Sequence, residues 1–245
     1  MATPLVLLHP FPLDSGFWSG VRPRLADGRA LLAPDFPGLG AAPLVEAPSI
    51  DGFADAVAAL IEREAPGGRA AVCGLSMGGY AALSLAARHP ERVAALVLAD
   101  TRAEPDTAEA AEGRHRSAAQ VRADGTGPFL DDFTPRLVAP GDRAALTAAR
   151  AIADSQDGEA VARALEALAG RADRRPDLAA MDVPALVIVG SADALTPLSC
   201  SEDLVVGLPR AELAVIDGAG HLTALERPEE FAARVSAFLT GLPEG

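Results

Sequence analysis

Short apolar runs alternate with amphipathic stretches along most of the chain. Six runs are rich in Val, Leu, Ile and Ala, as in strands that are buried on both faces of a sheet. Most are separated by helical patterns, for example Phe53–Glu64, Tyr80–Arg88 and Pro228–Leu239. The alternation predicts an α/β fold with a mostly or wholly parallel sheet and helices on both faces. The predicted strands are Leu5–Leu8, Ala30–Ala33, Ala70–Cys73, Val93–Ala99, Ala185–Val189 and Ala211–Ile216.

One interval, between the fourth and fifth predicted strands, breaks this rhythm. It contains a helix-start signal at Asp106-Thr107-Ala108-Glu109 and helical patterns at Ala144–Ala153 and Glu159–Leu168. We interpret residues 102–181 as an inserted helical cap. Residues 1–101 and 182–245 then form one core that the cap interrupts.

Bulk composition excludes several classes of protein. The 245 residues are 49% hydrophobic, which argues against disorder. The net charge of −13 argues against a nucleic-acid or anionic-membrane partner. No apolar run approaches a membrane span and no basic leader precedes Leu5, so we expect a cytoplasmic protein. With only two cysteines and no Cys/His cluster, neither a disulfide framework nor a metal or other cofactor is expected.

The most specific motif is Gly74-Leu75-Ser76-Met77-Gly78, which directly follows an apolar strand and precedes a helical pattern. In such a strand–turn–helix, a strained serine presents its hydroxyl above the sheet. The flanking glycines allow the strand and the helix to pass closely. Ser76 is therefore the candidate nucleophile.

A serine nucleophile needs a base and an acid further along the chain. His221 follows an apolar strand and a small-residue loop near the C-terminus, where the order Ser…Asp…His places the base. Asp193 ends the Leu186–Val189 strand region and lies between Ser76 and His221, so it is the favoured acid. Asp100 also follows an apolar strand and precedes His221, and it remains the competing candidate.

The oxyanion of such a reaction needs backbone N–H donors. The first strand leads into His9-Pro10-Phe11-Pro12, where the prolines have no N–H, so Phe11 is the one donor before Leu13. The residue after the nucleophile, Met77, is the expected second donor.

Taken together, these motifs resemble the α/β-hydrolase superfamily over nearly the whole chain. The matching segments are His9–Asp14, Pro34–Gly40, Gly74–Gly79, Gly190–Pro197 and Gly218–His221. Within that superfamily, the elbow together with Ala99-Asp100-Thr101-Arg102 is similar to small bacterial carboxylesterases.

Two departures from the family pattern affect the expected fold and site. His9-Pro10 replaces the usual His-Gly of the oxyanion loop, which stiffens the loop and leaves the Phe11 donor available. Many relatives have two antiparallel strands before the strand that ends at His9, and this chain starts just before that strand. We therefore expect a shortened sheet of six strands.

The expected function is hydrolysis of a small, uncharged carboxylic ester through an acyl-enzyme, by a monomer or a homodimer. Lactonase, thioesterase and cofactor-free perhydrolase activities use the same triad. A small-molecule receptor or a non-hydrolytic lyase on the same scaffold is a further alternative. The candidate pocket residues are apolar. Arg102 and Arg136 could meet an acidic substrate, but we interpret them as solvated or paired. The pocket candidates are Leu13, Trp18, Phe129, Phe133, Leu137, Leu195 and Leu222.

Overall fold

A six-stranded sheet organises the chain in the computed structural model, which describes residues 2–26 and 28–242. The outermost ends of the predicted core, residue 1 and residues 243–245, lie outside the described part, as does residue 27. The strand order is β2-β1-β3-β4-β5-β6, and every neighbouring pair is parallel. The prediction of a six-stranded parallel sheet is confirmed. The strands are β1 Leu5–Leu8, β2 Leu31–Leu32, β3 Ala70–Leu75, β4 Val93–Ala99, β5 Ala185–Gly190 and β6 Ala211–Ile216.

Burial of the central strands explains why their sequences read as continuous apolar runs. Every residue of β1, β3 and β5 is buried, although successive side chains point to opposite faces. Both faces of the sheet are therefore covered. Strand β6 is at the edge, and Leu213 and Val215 on it are exposed.

Ten α-helices occur in the described part of the chain, and polar side chains define where several of them begin. Ser49, Thr107, Asp142 and Asp157 each accept a hydrogen bond from a backbone N–H in the first turn of the helix that follows. The helices are α1 Arg22–Leu25, α2 Ile50–Glu64, α3 Met77–Arg88, α4 Ala108–Asp124, α5 Thr126–Phe133, α6 Arg143–Asp154, α7 Gly158–Ala169, α8 Leu198–Gly207, α9 Thr223–Glu226 and α10 Pro228–Thr240. None of them is both long and apolar enough to cross a bilayer.

Helices α4 to α7 form the insertion between β4 and β5, as the break in the sequence pattern indicates. Two buried or half-buried contacts tie this insertion to loops of the sheet. The Gln156 side chain donates to Asp14 Oδ2 at 2.9 Å and accepts from the Gly40 N–H at 2.8 Å. The Ala139 N–H donates to Glu226 Oε2 at 2.8 Å. The insertion is thus held beside the loops that follow β1 and β2 and beside α9.

The crossing of β3 and α3 depends on two glycines. A Cβ at Gly78 would lie 1.9 Å from the Leu8 carbonyl oxygen, and one at Gly74 would lie 2.1 Å from the Gly78 carbonyl oxygen. Both neighbours are backbone atoms, so the main chain itself would have to move. The close approach of β1, β3 and α3 therefore requires glycine at both positions.

We expect Gly78→Ala to lower the free energy of unfolding by about 3 kcal/mol, because the added methyl group overlaps backbone. The matched control is Gly113→Ala in the interior of α4, where a Cβ meets only the end of the flexible Arg116 side chain, at 3.8 Å. That variant should change stability by less than about 1 kcal/mol, in the stabilising direction. Urea unfolding measures both, and equal stabilities of the two variants would contradict the packing argument.

Candidate active site

The strained serine at the end of β3 is the centre of the site. Ser76 has φ 53° and ψ −112°, a left-handed conformation that non-glycine residues rarely adopt. Three hydrogen bonds hold its backbone: its N–H donates to Ala99 O at 2.9 Å, and its carbonyl accepts from Thr101 Oγ1 at 2.9 Å and from the Tyr80 N–H at 3.1 Å. These contacts with the end of β4 and with α3 offset the strain and fix the direction of the hydroxyl.

A continuous hydrogen-bonded chain connects Ser76, His221 and Asp193. Ser76 Oγ lies 2.8 Å from His221 Nε2, and His221 Nδ1 lies 2.8 Å from Asp193 Oδ2. A carboxylate only accepts, so Nδ1 carries the proton and Nε2 accepts from the serine hydroxyl. His221 and Asp193 are 3% and 6% exposed, which shields both contacts from water.

The Asp193 carboxylate is itself held by the loop that follows β5. It accepts from the backbone N–H groups of Leu195 and Thr196, and Thr196 Oγ1 donates to Oδ2 at 2.6 Å. Burial alone would raise the pKa of Asp193. The facing His221 and the hydrogen bonds from His221 and Thr196 outweigh burial and hold that pKa below its ordinary value. The group is therefore ionised at neutral pH. Thr196 was not singled out from the sequence, since a threonine three residues beyond a loop acid has no distinctive pattern.

Asp100, the competing acid, has different partners. Its Oδ1 accepts from the Gly190 N–H, and its Oδ2 accepts from Thr223 N–H and Oγ1. Burial and then the nearby Asp193 charge raise the pKa of Asp100 well above its ordinary value. Asp100 therefore connects the end of β5, before Asp193, to the start of α9, after His221. It makes no hydrogen bond to the imidazole.

A second buried carboxylate, Glu226, braces the histidine loop from the other side. It accepts from the N–H groups of Gly220 and Leu222, which flank His221, and from the Ala139 N–H of the insertion. The position of the imidazole is thus set by backbone contacts on both sides. The sequence places Glu226 only in a short polar stretch before Pro228, which does not reveal this contact.

Phe11 and Met77 line the same cavity, and in the described part of the chain both have backbone N–H groups without a partner. Among the described residues, no acceptor hydrogen-bonds to the N–H of Phe11 or of Met77. Met77 is the first residue of α3, where the helix dipole also favours negative charge. His9, on the loop before Phe11, is fully buried: its Nδ1 donates to Pro10 O and its Nε2 accepts from the Phe36 N–H. Burial lowers the pKa of His9, so the neutral ring is a rigid support for this loop.

The cavity above Ser76 has a volume of about 470 Å³ and lies between the strand-end loops and the insertion. Phe129 and Phe133 of α5 stack at 5.2 Å, and Phe11 packs against both, at 6.1 and 5.7 Å between ring centroids. Four of the predicted pocket residues line the cavity, namely Phe129, Phe133, Leu137 and Leu195.

The other three predicted pocket residues, Leu13, Trp18 and Leu222, do not line the cavity. Each is completely buried in the core. Trp18 packs against Phe17 and Phe231, at ring-centroid distances of 4.8 and 6.1 Å. Nearness to the motifs along the chain did not distinguish side chains that point into the cavity from those that support its loops.

Polar residues that the sequence did not single out also line the cavity. Tyr80 comes from α3, and Asp106 and Arg114 come from the start of the insertion. Arg102 and Arg136, interpreted from the sequence as solvated or paired, are part of the lining as well. Helical periodicity identified α3 and α4 but did not indicate which of their polar residues face Ser76.

Comparison with known proteins places this fold and motif set in one family. The alpha/beta hydrolase family matches residues 5–234. The chain is 35% identical to a pimeloyl-[acyl-carrier protein] methyl ester esterase of Aromatoleum aromaticum, covering 97% of this chain and 98% of that protein. A structure of a thermophilic esterase from Thermogutta terrifontis (malate bound) has a TM-score of 0.93 at 33% identity, covering 99% and 91% of the two chains.

A third relative is the enol-lactonase from Burkholderia xenovorans LB400. Its structure matches with a TM-score of 0.88 at 28% identity, covering 98% of this chain and 92% of that one. The similarity thus extends over essentially the whole length of each protein. The chain belongs to the alpha/beta hydrolase family.

Proposed function

We propose that this chain hydrolyses small carboxylic esters through an acyl-enzyme formed on Ser76. The observation that carries the proposal is the hydrogen-bonded chain from Ser76 Oγ through His221 to Asp193. Ser76 and His221 line a cavity together with Phe11 and Met77, whose backbone N–H groups have no partner among the described residues. Similarity to a methyl ester esterase and to an esterase of solved structure supports carboxylic ester hydrolysis.

The proposed reaction assigns one role to each of these groups. Ser76 Oγ attacks the ester carbonyl carbon while its proton passes to His221 Nε2. Asp193 holds Nδ1–H and stabilises the imidazolium. The carbonyl oxygen, now negative, accepts hydrogen bonds from the Phe11 and Met77 N–H groups. The C–O bond breaks and the alcohol leaves with the proton from Nε2.

Deacylation repeats the sequence with water. His221 takes a proton from the attacking water, and the tetrahedral intermediate collapses to release the carboxylic acid and the Ser76 hydroxyl. The chain's own groups supply every proton transfer in both halves.

Both cysteines are free and buried, which is typical of proteins from a reducing compartment, and a cytoplasmic location belongs to the same proposal.

Lactone hydrolysis is the second candidate activity. A lactone is an internal ester, so it needs the same relay, and the similarity to an enol-lactonase structure favours testing it.

Helices α4 to α7 act as the cap in this proposal, because their residues enclose the cavity over Ser76.

The direct test is turnover of a graded series of p-nitrophenyl acyl esters and of simple lactones by the purified protein. We expect rates to peak at short acyl chains, because the three phenylalanines limit the cavity. Ser76→Ala should remove the activity to background. Residual ester turnover in this variant would contradict the proposal, and turnover of lactones alone would support the second candidate.

A comparison of two matched variants assigns the acid. Asp193→Asn should lower kcat by on the order of 10³-fold or more, because the amide no longer fixes the imidazole tautomer. Asp100→Asn should lower kcat by less than about tenfold, while decreasing the free energy of unfolding by about 1–3 kcal/mol through the lost buried contacts. Steady-state kinetics and urea unfolding measure both effects. The reverse order of rate losses would assign the acid role to Asp100.

A further inference from the structure

Three arginines converge on one buried carboxylate at the wall of the cavity. Asp106 has a side chain that is only 1% exposed. Arg171 Nη1 lies 2.8 Å from its Oδ1, and Arg114 Nε donates to its Oδ2. The third cation, Arg102, comes no closer than 3.7 Å to Oδ1. Arg114 and Arg171 therefore lie closer to Asp106 than Arg102 does, although Oδ1 accepts no hydrogen bond from any of the three.

The charge balance leaves Arg102 as the surplus cation of this wall. Burial alone would raise the pKa of Asp106, but Arg114 and Arg171 outweigh burial and lower that pKa, so Asp106 counts as one negative charge. The remaining arginine of the lining, Arg136, is exposed and lies 4.0 Å from Asp132. Glu104 also attracts Arg102, yet the two form no ion pair within 4 Å. In a chain with a net charge of −13, the lining of this cavity thus has three arginines against two carboxylates, Asp106 and Asp132.

Arg102 is also short of hydrogen-bond partners. Among the described residues, no oxygen accepts a hydrogen bond from its guanidinium, and its Nε is buried without a partner. Its side chain is 26% exposed as a whole. Its nearest carboxylate oxygen, Asp106 Oδ1, lies 3.7 Å away, which is beyond hydrogen-bond distance, and leaving a buried donor without an acceptor is costly. An anion in the cavity would supply the missing acceptor.

Local backbone contacts fix Arg102 close to the nucleophile. It follows Thr101, whose Oγ1 donates to the Ser76 carbonyl, and β4 ends at Ala99, whose carbonyl accepts the Ser76 N–H. Arg102 and Ser76 line the same cavity. The same cavity of about 470 Å³ can therefore hold one molecule that contacts both Arg102 and Ser76.

We propose that the ester substrate carries a second, ionised carboxylate, which Arg102 binds. The proposal rests on the proposed ester hydrolysis and replaces the uncharged substrate that the sequence suggests. One planar guanidinium matches one carboxylate in a two-point hydrogen bond. The substrate class is a half-ester of a dicarboxylic acid, or an ester whose alcohol part bears the carboxylate.

The experiment compares carboxylate esters with carbamoyl analogues of the same size. Methyl hydrogen glutarate places the carboxylate on the acyl side, and 2-carboxyethyl butyrate places it on the alcohol side. We expect kcat/KM to favour the carboxylate over its carbamoyl analogue by about tenfold or more in one of the two pairs, mainly through KM. Acid release in a pH-stat measures the rates. Equal rates within both pairs would overturn the proposal.

Variants then test whether the preference for the carboxylate ester depends on Arg102. Arg102→Met should bring the carboxylate-to-carbamoyl ratio close to one, and Arg102→Lys should restore part of it. The control is Arg116→Met. It also removes one positive charge, but from a residue of α4 that does not line the cavity. This control should keep the ratio of the parent protein. A preference that survives Arg102→Met in a folded variant would contradict the assignment.

Thermal stabilisation by glutarate gives a readout that does not depend on turnover. Glutarate should raise the melting temperature of the parent protein more than its monoamide does, and Arg102→Met should remove the difference. Turnover of neutral esters without any carboxylate preference would overturn the Arg102 proposal alone. Absence of all ester turnover, with glutarate still bound, would overturn the proposed function alone.

Discussion

The close approach of backbone to backbone at the carboxyl edge of the sheet is the constraint on which the site depends. At the elbow, Gly78 passes so near Leu8 that a Cβ would lie 1.9 Å from a carbonyl oxygen. The same happens between the acid and histidine loops, where a Cβ at Gly190 would lie 2.1 Å from Gly220 O. These contacts bring the ends of β1, β3, β5 and β6 together. The distances between Ser76, His221 and Asp193 follow from them.

Buried carboxylates supply the second layer of support. Asp100 accepts from Gly190 and Thr223, and Glu226 accepts from the two neighbours of His221. Each carboxylate satisfies several backbone or hydroxyl donors that would otherwise be buried without partners. The loop of residues 218–221, which carries His221, is therefore held in one position by hydrogen bonds, although its side chains are small and bury little apolar surface. The strained Ser76 backbone is stabilised in the same way, by the ends of β4 and the start of α3.

The fold was predictable from the sequence to within a few residues, because strands buried on both faces leave uninterrupted apolar runs. Strands β1, β4 and β6 have the predicted bounds, whereas β3 continues to Leu75 and β2 is reduced to Leu31–Leu32. Side-chain direction within loops was not predictable. Trp18 belongs to an aromatic core cluster and Leu222 is core, whereas Tyr80 and Arg114 reach the cavity. Nor does charge pairing follow from sequence: Asp106 Oδ1 lies 2.8 Å from Arg171, which is 65 positions away, and 3.7 Å from Arg102, which makes no hydrogen bond to it.

The central claim is that the relay makes Ser76 the reactive nucleophile of this chain. Incubation with a fluorophosphonate probe, followed by intact-mass and peptide mass spectrometry, tests it without knowledge of the natural substrate. The account predicts one adduct per chain, located on Ser76, and its loss in His221→Ala, which removes the base. No adduct on the folded protein, or an adduct on another residue, would contradict the account.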